Sequence, residues 1–284
     1  MIYKMNILTF DIEDWYNCDF ITPDFNWDKY EVRIYEGVDR ILQELNNRQL
    51  KATFFCLGWI AEKHPDVIRK IHAQGHHIGC HSYQHELATR FSREEFKNDT
   101  QKAKFLIEDL IGERVDAYRA PGFSITENNT WALEILSELG FLYDCSILPA
   151  SHDYGGFQSF TNKQPGLLKL GNGLQIKEFP INVHTILDKS FVFSGGGFFR
   201  FFPYFLIQHW AKDTDYLMTY FHARDFDPGQ PVIQSLPLIR KFKSYVGLST
   251  SFAKFQKLLD NFEFMSIREA DKVIDWKNSQ SIDL

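Results

Sequence analysis

Between residues 6 and 145 the chain switches repeatedly from short apolar runs of strand length to longer segments with apolar residues at helical spacing. Residues 6–11 read as a buried strand, after which Val38, Ile41, Leu42 and Leu45 recur three and four apart. Residues 52–57 form a second strand, followed by a helix marked by Ile60, Ala61, His64, Val67, Ile68 and Ile71. Gly75 stops that helix before a strand at 78–81. Ser92 and Glu95 make a capping-box pair ahead of a helix carrying Phe96, Ala103, Leu106 and Leu110, closed by Gly112. A strand at 117–120, a helix with Trp131, Ile135, Leu136 and Leu139, and a strand at 141–145 follow, with later strands at 174–179 and 216–222. Parallel strands need a crossover between them, and helices of ten to twenty residues supply it, so the alternation predicts right-handed βαβ units and a largely parallel sheet. A closed α/β barrel is the first expectation and an open doubly wound sheet the second. The dinucleotide-binding form of the second lacks its fingerprint, because Gly195, Gly196 and Gly197 follow no strand at the required spacing. No Pro/Gly/Ser-rich linker or change of composition divides the chain, so residues 1–284 read as one domain.

At 284 residues with 44% hydrophobic and 24% charged residues, the chain can bury a sizeable core. A net charge of -6 excludes nucleic acid as a partner, because binding it needs clustered Lys and Arg, and it disfavours a strongly anionic polymer. No apolar run is long enough to span a bilayer as a helix, and residues 1–8 lack the apolar region of a signal peptide; a cytoplasmic protein is expected. Cys18, Cys56, Cys80 and Cys145 form no C-x-x-C pair and are expected to be buried reduced thiols. Aromatic residues reach 16%, mostly for the core, although the excess would also suit a site that stacks sugar rings.

Four polar clusters sit where strands end, the face of a barrel that carries active sites. Asp11, Glu13 and Asp14 follow the first strand; His81 and His85 stand four apart; Arg119 ends an apolar strand within Tyr118-Arg119-Ala120-Pro121; His222 ends a late strand and is followed by Ala223, Arg224 and Asp225. Each has an ordinary reading alone: solvated loop acids, a surface arginine on a turn, a structural histidine. Together, two histidines and a carboxylate make an open metal site that leaves a position for water, with a second acid and a third histidine near enough to move protons. A buried Arg119 would need a carboxylate partner, and Asp11 can be it.

These residues carry a resemblance. Thr9-Phe10-Asp11, His81 and His85 with Gly79 and Ser82, Tyr118-Arg119-Ala120-Pro121 and Phe221-His222 resemble, in order and spacing, the motifs of the polysaccharide deacetylase family, the NodB-homology carbohydrate esterases. Phe10-Asp11-Ile12-Glu13-Asp14-Trp15, Ala52-Thr53-Phe54-Phe55, Leu57-Gly58-Trp59, Gly140-Phe141-Leu142-Tyr143-Asp144 and Gly195-Gly196-Gly197-Phe198-Phe199-Arg200 resemble the subgroup of exopolysaccharide and surface-glycan clusters, whose additional C-terminal segment corresponds to the chain after about residue 180. The resemblance implies a single-domain distorted (β/α)7 barrel, a divalent metal, usually zinc, and hydrolysis of N-acetyl groups on sugars. It makes Asp11 the catalytic base, Arg119 its partner, His222 the catalytic acid, and His81 and His85 metal ligands.

The sequence departs from the family in two places. The family has adjacent aspartates, base then ligand, whereas Ile12 occupies the second position here. Strand alternation puts Glu13 on the face of Asp11, while a turn after Asp11 would aim Asp14 back at the metal; both stand as candidate ligands, with Asp14 preferred. Ala223-Arg224-Asp225 replaces the subgroup's Pro-aromatic-Glu, so Asp225 would orient His222 or line the substrate groove, and an Arg224 folded into the cleft would alter substrate choice. Trp15, Tyr118, Pro121 and Phe123 are expected to contact substrate, Tyr16 and Trp27 border the same loops, and Glu178 ends a strand that faces the site. Alternatives to an N-acetylated sugar are another linear or cyclic amide, or a carbohydrate-binding barrel without turnover.

Overall fold

In a computed structural model, which describes residues 4–17, 25–187 and 189–284, the alternation becomes a barrel. Cys18 lies outside the described residues. The first barrel strand comes in two pieces, β1 (Met5–Ile7) and β2 (Thr9–Ile12). It is followed by β3 (Thr53–Cys56), β4 (His77–Cys80), β5 (Ala117–Tyr118) and β6 (Tyr143–Asp144), then by the hairpin β7 (Gly166–Lys169) and β8 (Gln175–Glu178). A second hairpin joins β9 (His184–Ile186) to β10 (Lys189–Phe191), β11 (Tyr216–Met218) and β12 (Phe221–His222) form the last barrel strand, and β13 (Ser281–Asp283) edges β7. Seven strands run parallel in the order β12-β2-β3-β4-β5-β6-β8, and β1 pairs with β11 below them. The fold is a distorted (β/α)7 barrel. Among the described residues β8 and β12 share no ladder; Asn182 Nδ2 donates to the Tyr216 carbonyl at 2.6 Å and Gly196 N–H to the Tyr220 carbonyl at 3.1 Å, tying the gap across.

Strands β2, β3 and β4 are buried along their whole length, as parallel strands covered on both faces must be. Helix α1 (Ile34–Asn47) buries Val38, Ile41, Leu42 and Leu45. The helix expected from Ile60 to Ile71 is two, α2 (Gly58–Lys63) and α3 (Pro65–Ala73), because Pro65 has no N–H and pushes His64 out of helical geometry (φ -132°, ψ 56°). Helix α4 (Arg93–Ile111) starts on the Ser92/Glu95 capping box, with both arms formed, and ends at Gly112 in the left-handed region. Helix α5 (Trp131–Glu138) precedes β6.

The outer strands are interrupted where the sequence suggests continuity. Leu8 turns its N–H to the Met265 carbonyl at 2.9 Å, and Thr9 N–H reaches the Thr219 hydroxyl at 3.1 Å, so both adjacent strands break at one level. Helices α6 (Gly196–Phe201), α7 (Tyr204–Lys212), α8 (Leu238–Tyr245), α9 (Leu248–Asn261) and α10 (Ile267–Val273) complete the chain. The start of α10 seals the N-terminal end of the barrel, where Ile267 N–H donates to the Thr53 hydroxyl at 3.0 Å. The opposite end holds the polar clusters.

Candidate active site

Strand register brings the distant motifs together. Asp11 is the direct neighbour of His222 across the β2/β12 pair, and Cys80, one residue before His81, is the neighbour of Tyr118, one residue before Arg119. Past the end of β4 the chain takes two left-handed residues, Ser82 (φ 65°) and His85 (φ 60°), positions that non-glycine residues seldom occupy. That bend folds His85 back over His81, with ring centres 5.2 Å apart. The Ser82 hydroxyl accepts from His85 N–H at 3.0 Å, and Asp99 accepts from Tyr83 N–H at 2.9 Å, which fixes the strained loop.

Glu13, His81 and His85 place their donor atoms within 4.8 Å of one another. His85 Nε2 lies 2.7 Å from Glu13 Oε2. His81 Nδ1–H donates to the Arg119 carbonyl at 2.7 Å, so its other nitrogen, Nε2, carries the free lone pair. Burial pushes His81 down to about 4, which keeps it neutral and able to ligate. Burial alone would raise the Glu13 carboxyl, but His85, His222 and His81 together hold it well below the usual carboxylate range.

Asp11 and His222 flank this trio. Asp11 Oδ1 accepts from Arg119 Nη1 at 2.8 Å, and its Oδ2 lies 3.9 Å from His222 Nε2. His222 Nε2 is also 3.9 Å from Glu13 Oε1. Burial lowers the pKa of His222, but Asp225 at 3.1 Å from Nδ1, with Glu13 and Asp11 adding to it, raises the imidazole to about 9. One site therefore holds a carboxylate with an oxygen facing inward and an imidazolium with a donor proton facing the same space.

Sequence reasoning missed Arg200. Buried at the end of α6, it pairs through Nε with Asp225 Oδ1 at 2.9 Å and donates from Nη1 to the Ser244 carbonyl at 2.8 Å and the Val246 carbonyl at 3.1 Å. The run Gly195 to Arg200 marks the place, but no local spacing points it to Asp225. Gly195 is required there, because a Cβ would stand 1.9 Å from the Tyr220 carbonyl oxygen. Arg224 stays out of the cleft and holds Gln230 Oε1 at 2.7 Å.

Several expected site residues stand elsewhere. The preference for Asp14 as ligand is corrected: its carboxylate accepts from the N–H groups of Trp15 at 2.7 Å, Arg33 at 2.7 Å and Ile34 at 2.9 Å, capping the start of α1, and it is not among the clustered donors Glu13, His81 and His85. Helix α1 in turn packs through Gly37 on the Ala223 carbonyl, beside His222. Trp15 is buried, with its indole N–H on the Glu31 carbonyl and its ring against Tyr16 and Tyr30, and Trp27 packs on Trp59; these are core rings without a face for sugar. Tyr118 is 1% exposed and packs between Phe96 and Phe141, and Pro121 is buried in its turn, so neither lines the groove. Asp225 is buried beneath His222 as its orienting partner. Phe123, among the aromatic residues of this group, stands next to the site, with Tyr220 at 5.1 Å and the Arg119 guanidinium 5.9 Å from its ring centre. Glu178 is fully buried and accepts from Ile147 N–H at 3.3 Å.

Replacing Asp14 with Ala strands three N–H donors, two of them buried, and is expected to cost about 2–4 kcal/mol of stability. Metal content should not change, because Asp14 is not among the clustered donors. Chemical denaturation with elemental analysis of the same sample checks both halves, and loss of metal without loss of stability would return Asp14 to the ligand set.

Residues 4–143 match the profile of the polysaccharide deacetylase family, and residues 145–272 match a domain of unknown function (DUF3473). Over 100 residues the chain is 36% identical to a peptidoglycan-N-acetylglucosamine deacetylase of Bacillus cereus, a match that covers 35% of this chain and 36% of that protein. Over 112 residues it is 30% identical to a peptidoglycan deacetylase of Helicobacter pylori, covering 39% and 37% of the two. The chain thus spans little more than a third of the length of these relatives. Its structure is similar to that of a Mycobacterium smegmatis protein assigned to the polysaccharide deacetylases (19% identity, 99% of this chain and 93% of that one, TM-score 0.69). It is also similar to the PuuE allantoinase (17% identity, 95% and 89% coverage, TM-score 0.61), a likeness of fold.

Proposed function

Because the chain belongs, through residues 4–143, to the polysaccharide deacetylase family, we propose that it is a metal-dependent hydrolase that removes N-acetyl groups from acetamido sugars of a surface or exported polysaccharide. The observation that carries this reading is the joint placement of Glu13, His81 and His85 around one point, with Asp11 and His222 on either side of it. We place the protein in the cytoplasm; Cys56, Cys80 and Cys145, buried and unpaired, support a reducing compartment. A neutral glycan is the preferred substrate, since the net charge of -6 repels anionic polymers.

The donor set of two imidazoles and one carboxylate fits a divalent ion, zinc best, with a coordination position left open. When bound there, such an ion polarises the acetamide carbonyl and lowers the pKa of water towards about 7. The rest of the chemistry belongs to the chain. Asp11 Oδ2 accepts the proton of the attacking water while Oδ1 stays on Arg119, which orients the carboxylate. His222 Nε2–H donates to the departing sugar nitrogen, and Asp225 on Nδ1 keeps that imidazole charged beforehand. Acetate and a free amine are the products. Incubation of metal-loaded protein with acetamido-sugar oligomers and with small cyclic amides tests the reading: acetate release from a sugar supports it, and ring opening without acetate release overturns it.

Two further results are expected. Glu13→Gln and His81→Ala should each lower the metal bound per chain, with His81→Ala the more severe; second-shell and ligand losses in such sites cost about 10- to 100-fold or more in affinity. Unchanged metal content in both would take the cluster out of metal binding. Turnover should fall as pH rises through about 9, where His222 loses the proton it donates. Asp225→Asn removes the main cause of that elevation, so the alkaline limb should move down towards 6.5, the ordinary histidine value. An alkaline limb that stays in place would deny His222 the role of acid.

A further inference from the structure

Helix α8 is amphipathic with its apolar side turned outward. Leu238, Ile239 and Phe242 are 84%, 72% and 54% exposed, whereas Ser244, on the other side, is buried. At about 100° per residue the three apolar side chains fill one arc of about 100°, with Lys241 and Lys243 on its two borders. Phe201, 52% exposed on α6, extends the patch, its ring centre 5.8 Å from that of Phe242. The stretch of sequence that contains α8 is free of acids, with three of its cations on α8 and Lys254 turned inward onto the Arg200 and Phe202 carbonyls. From residue 228 to residue 259 there are five cations, Arg240, Lys241, Lys243, Lys254 and Lys257, and no Asp or Glu, in a chain whose net charge is -6. Among the described residues Asp153 reaches the border and offsets one charge by pairing with Lys243 at 3.1 Å, which leaves the α8 rim with an excess of cations in Arg240 and Lys241.

We propose that this face of α8 docks the protein on a lipid bilayer with anionic headgroups. An interfacial helix lies in the membrane plane when an apolar arc is rimmed by cations, because the arc enters the acyl boundary and the cations meet the headgroup charge. A neutral surface would not need the acid-free segment, and an acidic protein without it would be repelled by the bilayer. The face also stands beside the site. Arg240 reaches the hydroxyl of Tyr154, and the carbonyls of Lys243 and Ser244 at the end of α8 accept from Arg200, which holds Asp225 beneath His222. Docking at α8 therefore brings the cleft to the membrane, and, on the deacetylase reading given above, the acetamido sugar is one carried on a lipid.

Vesicle flotation tests the docking without turnover. The wild-type protein should float with phosphatidylcholine vesicles containing phosphatidylglycerol, less with phosphatidylcholine alone, and less at high salt. Leu238→Ser/Ile239→Ser/Phe242→Ser and Lys241→Glu/Lys243→Glu should each weaken partitioning by at least about tenfold, since each basic residue near such a surface is worth roughly fivefold. These positions are at the surface, so folding should survive, and circular dichroism confirms it. Equal partitioning of wild type and both variants, or no partitioning of the wild type, overturns the proposal. So does a wild-type dimer that the triple Ser variant turns into a monomer, which would give the face to a second copy. Acetate release from soluble oligomers is measured on the same samples, so a failure of docking is distinguishable from a failure of the deacetylase reading.

Discussion

Asp11→Asn is expected to lower turnover by about 10²- to 10⁴-fold, the usual contribution of a positioned general base. The substitution keeps the shape of the side chain and an oxygen for Arg119 Nη1, now 2.8 Å from Oδ1, so the groove and the Glu13/His81/His85 trio should be undisturbed. What it removes is the oxygen that faces His222 Nε2 at 3.9 Å and can take a proton. Metal per chain and the KM for an acetamido sugar should therefore change little while kcat collapses. Turnover within a few fold of wild type would remove Asp11 from the chemistry, and loss of the metal would make it a ligand. The comparison with Glu13→Gln separates the two carboxylates: the base variant is full of metal and slow, the ligand variant is poor in metal.

The sequence carries the barrel because strands β2, β3 and β4 are short runs buried along their length and the crossover helices α1 and α4 keep a helical period between them. Ser92, Glu95 and Gly112 bound α4 as their chemistry requires. Motif positions at strand ends place Asp11, His81, His85, Arg119 and His222 on one face, since register fixes which residues are neighbours across strands. The choice between Glu13 and Asp14 was legible only in part. Alternation points to Glu13, but what removes Asp14 is the start of α1, whose Arg33 and Ile34 N–H groups claim its carboxylate from some twenty residues downstream. The aromatic residues misled for a related reason: Trp15, Tyr16 and Trp27 carry the composition of a sugar platform, and only tertiary packing puts Trp59 and Tyr30 over them. Arg200 and α7–α10 were invisible because their partners are long-range and no motif rule couples an arginine after a glycine run to an aspartate after a histidine.

Arg119→Met is expected to cost about 3–5 kcal/mol of stability, because it leaves a buried carboxylate without its cation. Arg119 is fully buried and Asp11 is 2% exposed. One guanidinium here serves Asp11 at 2.8 Å, the Thr9 hydroxyl at 2.7 Å and the Cys145 carbonyl at 3.3 Å, and lies 4.3 Å from the centre of the Phe55 ring. Lysine offers a single point charge and cannot span those acceptors, so Arg119→Lys should recover little. A loss of this size moves a urea midpoint by on the order of 1–2 M, which equilibrium unfolding reads directly. Activity should fall with it, since Asp11 loses the Arg119 contact that holds its carboxylate in place. The cause is separable by removing both charges. Asp11→Leu/Arg119→Met is expected to be more stable than Arg119→Met alone, because the penalty resides in the orphaned carboxylate and an apolar pair of similar volume does not incur it. If the double variant is as unstable as the single one, the loss comes from packing against Phe55 and the bonds to Thr9 and Cys145, and Arg119 acts as a structural tie between strands more than as the electrostatic partner of the base.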